Sequence, residues 1–541
     1  MKPVRLYGVL PFAVLVSALW VYGLGRYIIL LGLLTVLLLS IGKAMAYIMS
    51  RQVLRAYPRP RRFDRDLIVI GAGSGGLVSA YIGAAVKAKV TLIEMHRMGG
   101  DCLNTGCVPS KALLRSAKFL AHARRAQAFG CDAAHVEFDF ARIMERVQRV
   151  IRQVAPHDSV ERYTALGVEC IQGEAQIVSP YSVTVNGRTL TTRNIVIASG
   201  AQPTIPRIPG IEVTGYYTSD TIWNLRTLPR RLLVLGGGPV GCELAQAFAR
   251  FGSHVVQLQR GSYLLKNEDP EFSALLMTQL TQEGVALHMN HTPKEFRIEA
   301  GHKVLRAEHE GRRVDIEFDE LLVAVGRTPN TRGFGLEELN ITLRRDGTIE
   351  VNEYLQTRLP NIYAVGDVTG PYQFTHVAAH QAWYAVVNSL FGSFKKFRVD
   401  YSVIPWATFT DPEIARVGLN EQEAQRRGIA YEVTRYPLDD LDRAIADEAA
   451  YGVVKVLTVP GKDRILGVTI AGEHAGDLIS EFITAMRHGL GLNKILGTIH
   501  IYPTLAEANK YAAGVWKRTH APLRILSWLE RYHTWRRGGA K

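Results

Sequence analysis

Cys102 and Cys107 stand with four residues between them in the run Gly99-Gly100-Asp101-Cys102-Leu103-Asn104-Thr105-Gly106-Cys107-Val108-Pro109-Ser110-Lys111. A pair at this spacing can cycle between dithiol and disulfide and so carry two electrons. Pro109 suits the first turn of a helix, where its missing N–H costs nothing. Cys107 is then expected near a helix N-terminus, where the dipole favours thiolate. The rival readings are a structural disulfide and half of a zinc site. No second Cys/His pair has metal spacing, which weighs against zinc. Five cysteines in 541 residues do not make a disulfide scaffold. Cys131, Cys170 and Cys242 are expected to be small buried hydrophobes. This usage fits a reducing compartment with one working pair.

Just upstream, the strand-like Leu67-Ile68-Val69-Ile70 runs into Gly71-Ala72-Gly73-Ser74-Gly75-Gly76 and a helix-compatible stretch from 77 to 87. In this G-x-G-x-x-G loop Gly71 allows the tight turn, Gly73 lets backbone approach a pyrophosphate, and Gly76 permits close helix–strand packing. The helix N-terminus then faces the phosphates. A second strand, 89–93, ends in Glu94, placed to accept from ribose hydroxyls. The unit recurs further on. Arg231-Leu232-Leu233-Val234-Leu235 leads into a loop with Gly236, Gly238 and Gly241, then Glu243 and a helix-like stretch. Two such loops imply two dinucleotides, FAD and a nicotinamide. The strand at 254–258 ends in Gln259-Arg260, with Lys266 nearby. An arginine where NAD enzymes place an acid favours the 2′-phosphate of NADPH over NADH.

The cysteine motif with Val108-Pro109-Ser110-Lys111 behind it resembles the pyridine nucleotide–disulfide oxidoreductases, which include glutathione reductase, dihydrolipoamide dehydrogenase and mercuric reductase. The resemblance runs from about residue 66 to 515. It implies that Cys107 faces the flavin and makes the charge-transfer contact, while Cys102 exchanges with substrate. It likens Lys111 to a lysine near flavin N5, and Glu243 to an acid near the nicotinamide. Ser199-Gly200 resembles the family's crossing between nucleotide domains. Gly326 lies in a segment resembling the exit from the nicotinamide domain. Asp367 closes a second FAD signature, where a carboxylate accepts from ribityl hydroxyls. The resemblance also implies a homodimer whose sites borrow residues from the partner, here the stretch from Ile499 to Glu507.

Two positions depart from the family pattern. Asp101 replaces a common threonine, and a carboxylate beside Cys102 opposes thiolate formation unless it is paired. Tyr502 stands where thiol-exchanging members carry a histidine partnered by an acid matching Glu507. Histidine titrates near neutrality, whereas tyrosine stays protonated and donates. Mercuric reductase also places tyrosine there, so a metal ion joins disulfides as a candidate small-molecule acceptor. No cysteine follows Cys242, so mercury-specific delivery residues are missing. His500 could substitute as an acid–base group or simply end a strand.

These residues need an α/β frame: two Rossmann-like dinucleotide-binding domains plus an α+β C-terminal dimerisation domain, preceded by a transmembrane helical hairpin. The expected division is a membrane anchor over 1–50, a basic linker over 51–65, an FAD-binding first part over 66–212, an NAD(P)-binding domain over 213–332, an FAD-binding second part over 333–400, the dimerisation domain over 401–515 and a basic amphipathic tail over 516–541. Residues 7–49 are almost wholly apolar, about two spans' worth. Spans over 6–22 and 27–46 with basic flanks place the catalytic part on the cytoplasmic side of a cell membrane. A single long span or a cleaved signal peptide are the rivals.

The net charge of +14 comes wholly from the ends. Ten lysines and arginines face two aspartates in 1–66, and seven face one glutamate in 516–541. That distribution suits membrane lipid and argues against nucleic acid. The sequence therefore predicts a flavoprotein that moves electrons from NAD(P)H through FAD to Cys102–Cys107 and on to a disulfide or metal ion. A membrane quinone reductase and a non-turnover, membrane-tethered redox sensor are the alternatives.

Overall fold

The computed structural model describes residues 27, 30–35, 37, 38 and 52–539. Its first sheet has the strands Val168–Gln172, Val90–Glu94, Arg65–Ile70 and Arg188–Ile197 side by side and parallel. Leu67, Ile68 and Val69 are wholly buried, as a parallel sheet covered on both faces requires. Two antiparallel strands, Ser182–Val185 and Ala175–Ser179, extend the edge. The short strand Ile362–Ala364 returns from much later in the chain to pair with Arg188–Ile197.

The second sheet is wholly parallel, in the order Ala286–Met289, His254–Gln259, Arg231–Leu235, Glu320–Val323 and Tyr217–Thr218. A three-stranded antiparallel sheet from His291 to Phe318 lies beside it. Two short strands, Ala201–Pro203 and Arg327–Pro329, pair where the chain enters and leaves this unit. The C-terminal sheet is antiparallel, with five strands between Pro405 and Gly472. Phe482, Ala512 and Trp516 from its helices share that sheet's apolar core. The α/β class with two nucleotide-type sheets and an α+β unit is thus as expected.

The helix Cys107–Arg124 packs on the helix Pro239–Phe251, sharing a core of Leu113, Ala117 and Leu120 with Leu244, Ala245 and Phe248. That contact sets the start of the helix Cys107–Arg124 beside the second glycine loop.

The membrane expectation is corrected. Among the described residues no helix is long and apolar enough to cross a membrane. A span takes about 20 mostly apolar residues. The longest helix among the described residues, Cys107–Arg124, has 18 residues and carries Lys111, Arg115, Lys118 and Arg124. The hairpin expected over 6–22 and 27–46 lies largely outside the described residues. The cell-membrane location and the lipid partner are withdrawn with it. The tail does form a helix, Leu523–Arg536, none of whose residues is buried. The three remaining cysteines differ from one another: Cys242 is buried, Cys170 half-buried and Cys131 exposed. Only Cys242 fits the expected buried hydrophobe.

Candidate active site

Gly99 and Gly100 both take positive φ and turn the chain from the first sheet into the short helix Gly100–Asn104, which carries Cys102. Cys107 is the first residue of the next helix, as its neighbour Pro109 predicts. Both thiols are free. A hydrogen bond from Cys102 holds the Cys107 thiol down to about 6, against the upward pull of burial and with help from Thr375 and Lys111. The same contact, with burial, pushes the Cys102 thiol up. With both thiols reduced, these directions favour the charge on Cys107 and the proton on Cys102. Thr375 Oγ1 lies 3.5 Å from Cys107 Sγ at the start of the helix Thr375–Phe391.

Three parts of the fold meet at Lys111. Its Nζ donates to Glu243 Oε2 at 3.0 Å and sits 4.2 Å from the centre of the Phe409 ring. Glu243 is buried, and its other oxygen accepts from the Phe409 backbone N–H at 2.9 Å. A lysine one turn past Cys107, an acid in the helix after the second glycine loop and the start of the C-terminal unit are thus locked together. Asp411 repeats the arrangement further out, accepting from Arg250 at 3.0 Å and from the Tyr451 hydroxyl at 2.7 Å.

Asp101 is paired. Its Oδ2 lies 2.7 Å from Arg327 Nη2, and its Oδ1 accepts from Thr105 Oγ1. Arg327 also donates to the Ala201 carbonyl at 2.7 Å and lies 3.6 Å from Asp367. Burial pushes Asp367 up to about 6, opposed by Arg327.

The glycine loops fit dinucleotides. The helices Ser74–Ala85 and Pro239–Phe251 begin at Gly73 and Gly238 with no side-chain cap, which leaves their first N–H groups free for phosphate. A Cβ on Gly71 would lie 2.4 Å from the Ala198 carbonyl oxygen, and one on Gly236 would lie 2.2 Å from that of Ala324. A Cβ on Gly76 would meet Gly71 O, and one on Gly241 would meet Gly236 O. The two loops thus repeat one set of close approaches. Glu94 accepts from Ala72 N at 2.6 Å and so braces the first loop.

Ser199 Oγ and Asn330 Nδ2 donate to each other's backbone carbonyls at 2.7 and 2.9 Å, which closes the crossing at Gly200. Gly326 has positive φ on the return path. Arg260 and Lys266 are exposed, and neither has an ion-pair partner among the described residues.

Residues 65–382 match the family described as pyridine nucleotide-disulphide oxidoreductase, and residues 404–513 match its dimerisation domain. The chain belongs to this family. It is 35% identical over 450 residues to a mercuric reductase of Bacillus cereus, covering 83% of this chain and 71% of that one. It is 34% identical over 455 residues to a dihydrolipoyl dehydrogenase of Chlamydia muridarum, covering 82% and 94%. The HOCl-induced flavoprotein disulfide reductase RclA from Escherichia coli superposes with a TM-score of 0.75 at 29% identity, covering 83% and 99%. A Cu(II) complex of that protein superposes at 0.74 and 28%, with the same coverage. This pyridine nucleotide-disulphide oxidoreductase is an enzyme that uses FAD and NAD(P)H, and the dimerisation-domain match supports a homodimer.

Tyr502 and Glu507 are not brought together by a hydrogen bond. Tyr502 is exposed and donates to Asp442 Oδ2 at 2.9 Å, whereas Glu507 is buried and accepts from Thr504 N and the Tyr511 hydroxyl. His500 is engaged by Glu481 at 3.0 Å.

Sequence reasoning missed Thr375, Phe409 and the roles of Arg327. Arg327 follows directly on Gly326 and was within reach. Nothing around Thr375 in the sequence marks it.

Proposed function

We propose that this enzyme is an NADPH-dependent disulfide oxidoreductase whose Cys102–Cys107 pair reduces a disulfide or a soft metal ion. The observation that carries the reading is the placement of the pair: Cys107 opens the helix Cys107–Arg124 with Thr375 Oγ1 at 3.5 Å and Lys111 one turn on, and Cys102 sits on the short helix before it, so that Cys107 is held down to about 6 and Cys102 pushed up. FAD, when bound, would supply two-electron transfer between a nicotinamide and the disulfide. The residues do the rest. Opening the S–S bond leaves two sulfurs with an electron pair each and takes up one proton. The site assigns that proton to Cys102 and the charge to Cys107, beside the Lys111 ammonium and the helix N-terminus. Cys102 then attacks an acceptor disulfide and its proton goes to the expelled thiolate; Cys107 attacks the resulting mixed disulfide, releases the second thiolate and re-forms the Cys102–Cys107 bond, or both sulfurs ligate a soft cation that takes the two electrons as that bond re-forms.

Gly71, Gly73, Gly76, Glu94, Lys111, Ser199, Gly200 and Asp367 are proposed for FAD. Gly236, Gly238, Gly241, Glu243, Arg260, Lys266 and Gly326 are proposed for the nicotinamide cofactor, with the two exposed cations at the 2′-phosphate. The proposed domain division follows the sheets, with 66–212 and 333–400 sharing the first sheet and 213–332 holding the second. Tyr502 and Glu507 are proposed to complete the site across the dimer. Tyr502 is the donor and Glu507 the brace of its loop, where Ile499 and Ile501 are also exposed.

The mercuric reductase likeness and the copper complex of RclA support trying metal ions beside disulfides. Among the described residues no helix supplies the membrane anchor that motivated the quinone reading. The test is anaerobic NADPH oxidation by the flavin-loaded enzyme against a panel of disulfides, Hg(II), Cu(II) and a soluble quinone. Turnover should need both cysteines. Turnover undiminished in the Cys102→Ala, Cys107→Ala double variant would refute the reading.

A further inference from the structure

We propose that Asp101 and Arg327 form a charge clamp that ties the redox-cysteine turn to the strand leaving the second nucleotide unit and sets how readily Cys102 ionises. This deepens the reading of Cys102 as the exchanging thiol. Asp101 directly precedes Cys102 and, left alone, opposes its thiolate. It is not alone: Arg327 Nη2 reaches its Oδ2 at 2.7 Å, and Thr105 holds its Oδ1. The arginine is anchored in turn, because Nη2 also donates to the Ala201 carbonyl at 2.7 Å, on the strand that pairs with Arg327–Pro329. Ordering both ends in this way limits the entropy lost by the pair.

The neighbourhood sets the sign of each change. Three carboxylates share this single guanidinium. Asp101 is in contact, Asp367 lies 3.6 Å from Arg327 Nε, and Asp220 feels both Asp101 and Arg327. Thr375 and Cys107 face Cys102, and Lys111 acts on Cys107 while held by Glu243. Removing Arg327 strips the cation from all three acids and makes the surroundings of Cys102 more negative. Removing Asp101 frees the guanidinium and makes them more positive. A merely mechanical clamp would instead loosen the same turn in both variants. Asp101 and Arg327 are positioning residues, acting through Cys102.

The experiment uses flavin-loaded protein carrying Cys107→Ser, reduced and desalted without oxygen. Iodoacetamide labelling of Cys102 is followed by peptide mass spectrometry across pH, with the flavin-to-protein absorbance ratio as the check on folding. At pH 7.5, Asp101→Asn should label about threefold faster and Arg327→Met about threefold slower. A gain in thiolate fraction is partly offset by lower intrinsic nucleophilicity. The double variant should return to within about twofold of the background, because the two changes act on one pair, and Arg327→Lys should stay near it. Singles that move in the same direction, or that do not move, overturn the clamp. Should Arg327→Met lose its flavin, Asp101→Asn decides alone, and an unchanged or slower rate overturns the proposal. None of these readouts depends on an acceptor, so failure of the acceptor reading leaves the result intact.

Discussion

Replacing Cys102 by alanine tests the division of charge in the cysteine pair. The hydrogen bond from Cys102 is the largest influence on Cys107; with Thr375 and Lys111 it outweighs burial, and together they take the thiol from the ordinary 9.0 to about 6. At pH 7 a thiol titrating near 6 is about 90% thiolate, whereas one at the ordinary value is about 1%. Without the donor, Lys111 and the helix N-terminus still favour the charge. The expected loss of thiolate at pH 7 is therefore about tenfold rather than the full range. Labelling of Cys107 by iodoacetamide, mapped by peptide mass spectrometry from pH 5 to pH 10, reads this directly. The midpoint for the reduced wild-type enzyme should fall near 6. It should lie clearly higher in Cys102→Ala, with the rate at pH 7 down several-fold. Lys111→Met should move it in the same direction but less. A Cys102→Ala midpoint at or below that of the wild type would refute the assignment of charge to Cys107 through its neighbour.

Glu243→Gln removes the carboxylate that Lys111 and the Phe409 backbone share. Lys111 keeps access to water, so the cost is discounted to about 1 kcal/mol, seen as a lower guanidinium midpoint at unchanged slope. Arg260→Ala and Lys266→Ala should each raise the KM for NADPH about tenfold and leave that for NADH nearly unchanged, in steady-state assays with both cofactors. An equal rise for both cofactors would remove these residues from the 2′-phosphate.

The sequence alone determined what is local. Each strand–glycine loop–helix unit is written in contiguous residues, because turn conformation and close approach constrain residue type position by position. The observed positive φ at Gly71 and Gly236 is the conformation those loops predict. The Cys102–Cys107 spacing and Pro109 likewise announced a cysteine at a helix start. Apolar runs announced the buried parallel strands. Composition was a weaker guide, since a long apolar run resembles a membrane span whether or not one forms. Cysteine burial was equally unreadable, because exposure depends on what packs above a residue.

Only the tertiary structure decided what meets what. Lys111, Glu243 and Phe409 come from three separate parts of the chain, and their contact depends on one helix packing against another through Leu113, Leu244 and Phe248. Asp101 read as an obstacle to thiolate chemistry until Arg327, more than two hundred residues away, proved to be its partner. Thr375 reaches Cys107 only because the chain returns to the first sheet at Ile362–Ala364 and starts its next long helix there. Electrostatic balance at a site is a property of distances. A sequence states which charges exist, and the fold alone states which of them are neighbours.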